Sequence, residues 1–308
     1  MRIAVLAGGT GGAKLAAGLQ DVIGSDLSVI ANTGDDTEAL GVHVSPDPDL
    51  ITYWLSGEID EERGWGIRGD SFTTFERMVK LGEPDWLGLS DRDLATCLRR
   101  RHMLDQSTRP TEAQLAIASA LGVTARVLPM ADQPVRTRVR TPYRWRDLQE
   151  YLILDRAEPP VQAIEFEGVE AAAPTKEVIE ALGGAAAIVI GPSNPIISIG
   201  PILAVPGMRE AVVASSAPVI AVSPFVAGRA IKGPTEKFMQ AIGLEPSTAG
   251  VVATYGAVLD GLIVDAADPD PAPEGIPVLS TPTLMDDPAA RREVATRTLE
   301  FGAELGGG

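Results

Sequence analysis

Close to the start of the chain an apolar run, Arg2–Ala7, leads into Gly8-Gly9-Thr10-Gly11-Gly12-Ala13-Lys14. Glycine lets a backbone turn tightly and approach a ligand closely. The helix expected over Lys14–Ile23 would then turn free N–H groups towards a phosphate held by Gly9, Thr10, Gly11 and Gly12. The spacing is not that of a P-loop, because Lys14 is followed by Leu15. It is also an imperfect dinucleotide fingerprint: Gly9-x-Gly11 is present, but position 14 is Lys. Lys14 either adds a cation to the site or is an exposed first-turn lysine. A tight strand–helix turn without a ligand is the plain alternative.

Three further clusters carry polar groups at the ends of apolar runs. Asn32-Thr33-Gly34-Asp35-Asp36 follows Leu27–Ala31, and Gly191-Pro192-Ser193-Asn194-Pro195 follows Ala186–Ile190. In open α/β sheets ligands bind at the carboxyl ends of strands. Between them lies Ser45-Pro46-Asp47-Pro48-Asp49-Leu50, read as a short acidic loop stiffened by two prolines. Carboxylates of this kind suit Mg²⁺, a hard cation that takes oxygen ligands and often bridges to phosphates. Asp is equally at home in turns and helix caps. Taken together, a glycine turn and two acid clusters fit a diphosphate, a metal ion and carboxylates around one centre. Ser193 and Asn194 offer hydrogen bonds to a base, a ribose or phosphates.

Elsewhere the chemistry is thin. His43 and His102 are the two histidines, which gives a zinc site or a Ser-His-Asp arrangement little support. Cys97 lies in a helical neighbourhood and reads as packed. Asp91-Arg92-Asp93 with Arg99-Arg100-Arg101-His102 reads as a solvated helix face.

The elements that must hold these groups alternate. Continuous apolar runs recur at Val219–Val222, Gly261–Val264 and Ile276–Leu279, as expected of strands buried on both faces of a parallel sheet. Helical patterns separate them at Lys176–Leu182, Met208–Val213, Thr235–Ile242 and Pro288–Phe301. The expected fold is α/β: a doubly wound, mostly parallel Rossmann-like sheet. Residues 1–54 and 123–308 form its nucleotide-binding core, and 55–122 a mainly helical insertion beside the acceptor pocket. Phe72–Leu81, Asp91–Leu104 and Thr111–Leu121 read as helices, with Thr111 and Gln114 as a capping box. Arg136–Thr141 and Val161–Phe166 suggest strands of a small extra lobe.

The 308 residues carry 42 acids against 26 bases, a net charge of −16. Such a field repels nucleic acid and anionic membranes, yet admits an anionic small molecule where backbone N–H groups or a metal neutralise it locally. One cysteine excludes an intrachain disulfide and fits a reducing compartment. No run reaches the roughly 18–20 apolar residues of a membrane helix. A cytoplasmic location is expected.

In order and combination these motifs resemble the 2-phospho-L-lactate transferase family (CofD, also FbiA), which builds the deazaflavin coenzyme F-420. The likeness runs through Gly64-Trp65-Gly66-Ile67, Asp91-Arg92-Asp93-Leu94-Ala95-Thr96, Leu128-Pro129-Met130, Pro201–Arg209 and Val222-Ser223-Pro224. It implies transfer of an enolpyruvyl-phosphate or 2-phospho-L-lactyl group from a guanosine-diphosphate-linked donor. The acceptor is the ribityl hydroxyl of Fo (7,8-didemethyl-8-hydroxy-5-deazariboflavin). GMP leaves, dehydro-F-420-0 or F-420-0 forms, and Mg²⁺ is required. The chain is rich in Ala and Arg and poor in Lys, as in high-GC genomes, which favours the enolpyruvyl donor.

On that resemblance Asp36, Asp47 and Asp49 would hold the metal or orient the attacking hydroxyl, with Asp49 and Asp36 as the catalytic pair. Gly9–Gly12, Lys14, Ser193 and Asn194 would bind the donor. Asp49, Arg92 and Thr96 would bind Fo, in a homodimer. Pro48, Leu50 and Cys97 depart from the family's usual residues. A non-catalytic sugar-nucleotide-binding regulator of the gluconeogenesis-factor type is the rival. A second is an NAD-dependent oxidoreductase, whose ribose-binding acid would fall at Asp35 or Asp36.

Overall fold

The computed structural model describes residues 1–270 and 272–307. Seven parallel strands form the central sheet: β1 (Ile3–Ala7), β2 (Leu27–Ala31), β3 (Arg126–Pro129), β4 (Ala187–Ile190), β5 (Val219–Val222), β6 (Gly261–Asp265) and β7 (Val278–Thr281). Their spatial order is β7-β6-β5-β4-β1-β2-β3. The chain winds outward one way from β1 through β2 to β3, then returns to β4 and winds the other way. The switch point lies between β1 and β4, paired Ile3↔Ala187 to Leu6↔Ile190. There the loops leaving two neighbouring strands diverge and open a crevice.

Every residue of β1, β4, β5 and β6 is buried. Helices on both faces explain why these strands read as unbroken apolar runs. The last strand lies two residues later than the sequence suggests, at Val278–Thr281, because Leu262↔Val278 sets its register with β6.

Helix α1 spans Gly9–Ile23, so it begins five residues before the expected Lys14 and takes three glycines of the motif into its first turn. It packs on α2 (Pro46–Ser56) and on a C-terminal helix, Pro288–Leu305. Gly18 allows the second contact: a Cβ there would lie 2.2 Å from the Arg291 carbonyl oxygen.

The Ser45–Asp49 segment is not a loop. Pro46 and Pro48 sit in the first turn of α2, where their missing N–H groups cost nothing and their fixed φ suits a helix. The charged segment is helical as expected, in α3 (Thr73–Lys80), α4 (Asp91–Asp105) and α5 (Pro110–Ala120). No capping box forms. Arg109 caps α5, and the Thr111 hydroxyl donates to Asp132 at 2.7 Å. A three-stranded antiparallel sheet, with Arg136–Arg140 between Trp145–Asp147 and Ala163–Glu167, forms the extra lobe. No helix among the described residues is long and apolar enough to cross a membrane.

Candidate active site

A cleft of about 310 Å³ opens at the switch point. Five strand ends supply it: Gly8–Gly11 after β1, Asp35 after β2, Pro192–Asn194 after β4, Ser223 and Pro224 after β5, and Thr283–Asp286 after β7. The glycines are steric requirements. A Cβ on Gly11 would stand 2.1 Å from the Pro192 carbonyl oxygen, and one on Gly12 2.5 Å from Ser193 Oγ. The β1 and β4 turns therefore interlock. Ser193 Oγ accepts the Gly8 N–H at 3.2 Å across that junction. Asn194 braces its own loop: its side-chain oxygen accepts the N–H of Ile196 at 2.9 Å, and its amide donates to Thr235 Oγ1 at 3.2 Å. Thr10 and Lys14 line the cleft as expected.

Two carboxylates face the glycine turn. Asp47 Oδ1 accepts the Gly9 N–H at 2.7 Å, so a side chain from α2 sits on the N-terminal amide of α1. The Asn32 amide, fully buried, donates to Asp47 Oδ2 at 2.9 Å and to Asp35 Oδ1 at 2.7 Å. Burial pushes the Asp47 carboxyl up to about 6, against the hydrogen bonds from Asn32 and Gly9. Asp35 is driven well above the carboxylate range, first by burial and then by the charge of Asp47. Two carboxylates held this close call for a shared proton or a cation between them.

The 2-phospho-L-lactate transferase CofD family matches this chain over residues 3–276. A phosphoenolpyruvate transferase of Streptomyces griseus is 40% identical over 316 residues, 99% of either chain. A 2-phospho-L-lactate transferase of Methanopyrus kandleri is 38% identical over 311 residues, covering 100% of this chain and 99% of its own. The chain belongs to the CofD family. It is an enzyme of the transferase class, which sets aside both the regulator and the oxidoreductase readings. A UPF0052-family protein of Bacillus halodurans shares the fold, with TM-score 0.64 at 18% identity over 97% of this chain and 98% of that one.

The remaining acidic residues of this CofD-family chain lie elsewhere. Asp49, one helical half-turn from Asp47, is 4% exposed, and both its oxygens are taken by the Arg100 guanidinium, one at 2.9 Å. Arg100 also donates to Gln114 Oε1 at 3.2 Å, and Gln114 donates to Thr52 at 2.9 Å. Burial works against charge on both partners, and their pairing holds Arg100 protonated. Asp36 accepts from Ser45 Oγ at 2.7 Å and pairs with His43 at 3.0 Å. The oxygens of Asp36, Asp47 and Asp49 do not converge as a set of metal ligands; among the described residues the three groups that converge are Asp49, Asp93 and Cys97. With Arg100 already seated on Asp49, that trio is a buried ion-pair neighbourhood, and burial raises the Cys97 thiol far beyond reactivity.

Asp36, His43 and Arg100 line a second cavity of about 250 Å³, together with Arg136. The Thr33 hydroxyl, buried and without a hydrogen-bond partner, also faces it. Arg92 and Thr96 lie a turn apart on α4, Thr96 Oγ1 donating to the Arg92 carbonyl at 3.3 Å, and line neither cavity.

Sequence reasoning picked out the Asn32–Asp36 cluster but gave the metal to Asp36 in place of Asp35 and no role to Asn32, and it left Arg100 on a solvated face. Asn32 did carry a signal: a fully polar amide directly after an apolar strand, beside two acids. Arg100 carried one too: it stands three residues after Cys97 and three before Met103, in register with Leu94 on the buried face of α4, whereas Arg99 and Arg101 are exposed.

Proposed function

We propose that this chain moves a phosphorylated three-carbon acid, enolpyruvyl-phosphate or 2-phospho-L-lactyl, from a guanosine-diphosphate-linked donor to the ribityl hydroxyl of Fo, releasing GMP. The names of its relatives support the transferred group. The observation that carries the reading is the convergence of the glycine turn, Asp35, Asp47 and Lys14 in one cleft at the switch point.

The donor's diphosphate lies along Gly9–Gly12, where α1 presents its first N–H groups and its positive end. Interlock of the β1 and β4 turns fixes those groups before substrate arrives. Phosphoryl transfer asks mainly for positioning and charge neutralisation. The hydroxyl oxygen bonds to the terminal phosphorus as the bond from that phosphorus to the GMP oxygen breaks, and the hydroxyl proton passes to Asp36 in the acceptor cavity and on to solvent. Mg²⁺ fits the donor set of Asp35 and Asp47, two oxygen-ligand side chains side by side, and would neutralise the diphosphate. Asn32 holds both carboxylates in place for it. The acceptor occupies the second cavity, whose Asp36 adjoins Asp35 in the chain; Asp49 acts there through Arg100.

The test is an assay with Fo, Mg²⁺ and each guanylylated donor, with GMP release followed by chromatography. Release that depends on both Fo and one of these donors is expected. GMP formation without Fo, or none with either donor, refutes the assignment.

A further inference from the structure

Among the described residues lining the main cleft, two carry a positive charge: Lys14 and Lys232. Lys14 comes from α1, with its Nζ 3.9 Å from Asp286 and 5.7 Å from the Trp54 ring centroid. Lys232 comes from the far end of the chain. It follows a short hairpin, Phe225–Val226 with Arg229–Ala230, beyond β5. Lys14 makes one long ion pair, and no ion pair involves Lys232 among the described residues. Of the cleft's three acids, Asp286 is the partner of Lys14, and Asp35 and Asp47 are occupied with Asn32 and Gly9.

Lys232 reaches the Gly64 turn at the rim of the cleft: a Cβ built on Gly64 would lie 2.3 Å from its Nζ. Gly64 has φ +75°, a left-handed conformation that side chains disfavour. The Gly64-Trp65-Gly66 turn thus reaches from the helical segment to the cleft through this contact. Two like charges facing one cavity repel each other, and burial adds to that cost at Lys14, whose pKa is lowered first by desolvation and also by Lys232. A bound polyanion removes the repulsion.

We propose that Lys232, with Lys14, grips the diphosphate of the donor. The proposal rests on the reading of the cleft as a nucleoside-diphosphate site. It adds a donor-binding residue from the segment that follows the hairpin.

The test is calorimetric titration of the full chain with GDP at two salt concentrations. Lys232 is exposed, so its replacement leaves the fold intact. Lys232→Gln should weaken GDP at least tenfold, as loss of a charge-assisted phosphate contact does. It should also flatten the salt dependence of binding, because one charge contact is gone. Lys232→Arg should restore most of the affinity. GDP affinity and salt dependence in Lys232→Gln that match the wild type would overturn the proposal while leaving the diphosphate reading intact. A wild-type protein that binds no GDP would overturn that reading, and the proposal with it.

Discussion

Asp47 and Asp49 lie two residues apart in the first turn of one helix, and both are buried, at 5% and 4% exposure. Their surroundings are opposite. Asp47 points to the cleft and is held by neutral donors, the Gly9 N–H and the Asn32 amide. Asp49 points into the insertion and is neutralised by an arginine. Neutral donors fix a carboxylate without cancelling its charge, so Asp47 remains able to attract a cation or a proton. An arginine cancels that charge and converts the group into a structural tie. One helical turn therefore presents two different groups: a carboxylate of uncancelled charge towards the sheet's crevice, and a bolt joining α2 to α4.

The largest effect should come from breaking the bolt. Arg100→Met strips a buried carboxylate of its partner, which costs about 3–5 kcal/mol. Asp49→Asn does comparable damage by stranding the guanidinium. The double variant Asp49→Leu/Arg100→Met should recover most of the loss, since two apolar side chains replace a pair and leave no orphan charge. Denaturant unfolding of the four proteins measures this. Equal stability of the single variants and the wild type would show that the pair is not a tie.

Asp47→Asn should behave in the opposite way. It keeps an acceptor for the Gly9 N–H and removes a costly buried charge, but it turns an amide NH2 towards the Asn32 donor, so the variant's fold is checked by thermal melt first. Transfer should drop about hundredfold or more, in line with the loss of a group that stabilises charge in a transition state. If Asp47→Asn retains wild-type turnover and Asp49→Asn, checked to be folded, does not, the roles assigned to the two aspartates are exchanged.

Gly11→Ala probes the interlock of the β1 and β4 turns beside the cleft. A Cβ 2.1 Å from the Pro192 carbonyl must push the β1 and β4 turns apart. A cost of about 1–3 kcal/mol is expected, as for other overpacked sites, with a clear loss of donor affinity. Thermal melts and GDP titration report the two parts separately.

Much of the frame was legible. Leu27–Ala31 and Val219–Val222 coincide with β2 and β5, because strands covered on both faces leave continuous apolar runs. The glycine turn, Asp47 and Ser193 were legible as cleft residues for the same reason: strand ends mark the crevice. Legibility failed where a residue's meaning depends on a distant partner. Helical spacing from Leu94 and Cys97 sets Arg100 apart from Arg99 and Arg101, but it does not name a partner; only the approach of α4 to α2 brings it to Asp49, 51 residues away. Ser45–Asp49 was misread because Pro and Asp serve both turns and helix first turns. Alternate spacing on a loop would have aimed both aspartates at one metal, whereas helical rotation sends them apart.

The smallest effect is a pH dependence that separates the two aspartates once more. Burial raises the Asp47 carboxyl in the folded chain to about 6, above the ordinary 3.8 of a free aspartate. Between those values the folded chain binds more protons than the unfolded one, so stability rises as pH falls from neutral towards 4. Asp49 is also raised by burial, but Arg100 opposes that shift, so its contribution is smaller. Thermal melts at pH 7.5 and 5.5 should therefore show the metal-free wild type gaining stability on acidification, with Asp47→Asn losing part of that gain. Excess Mg²⁺ should reduce it as well, since an ion bound by ionised Asp35 and Asp47 favours the deprotonated pair. An identical pH response in wild type and Asp47→Asn would mean that Asp47 titrates as an ordinary carboxylate, and that its neutral donors compensate its charge as fully as the arginine does for Asp49.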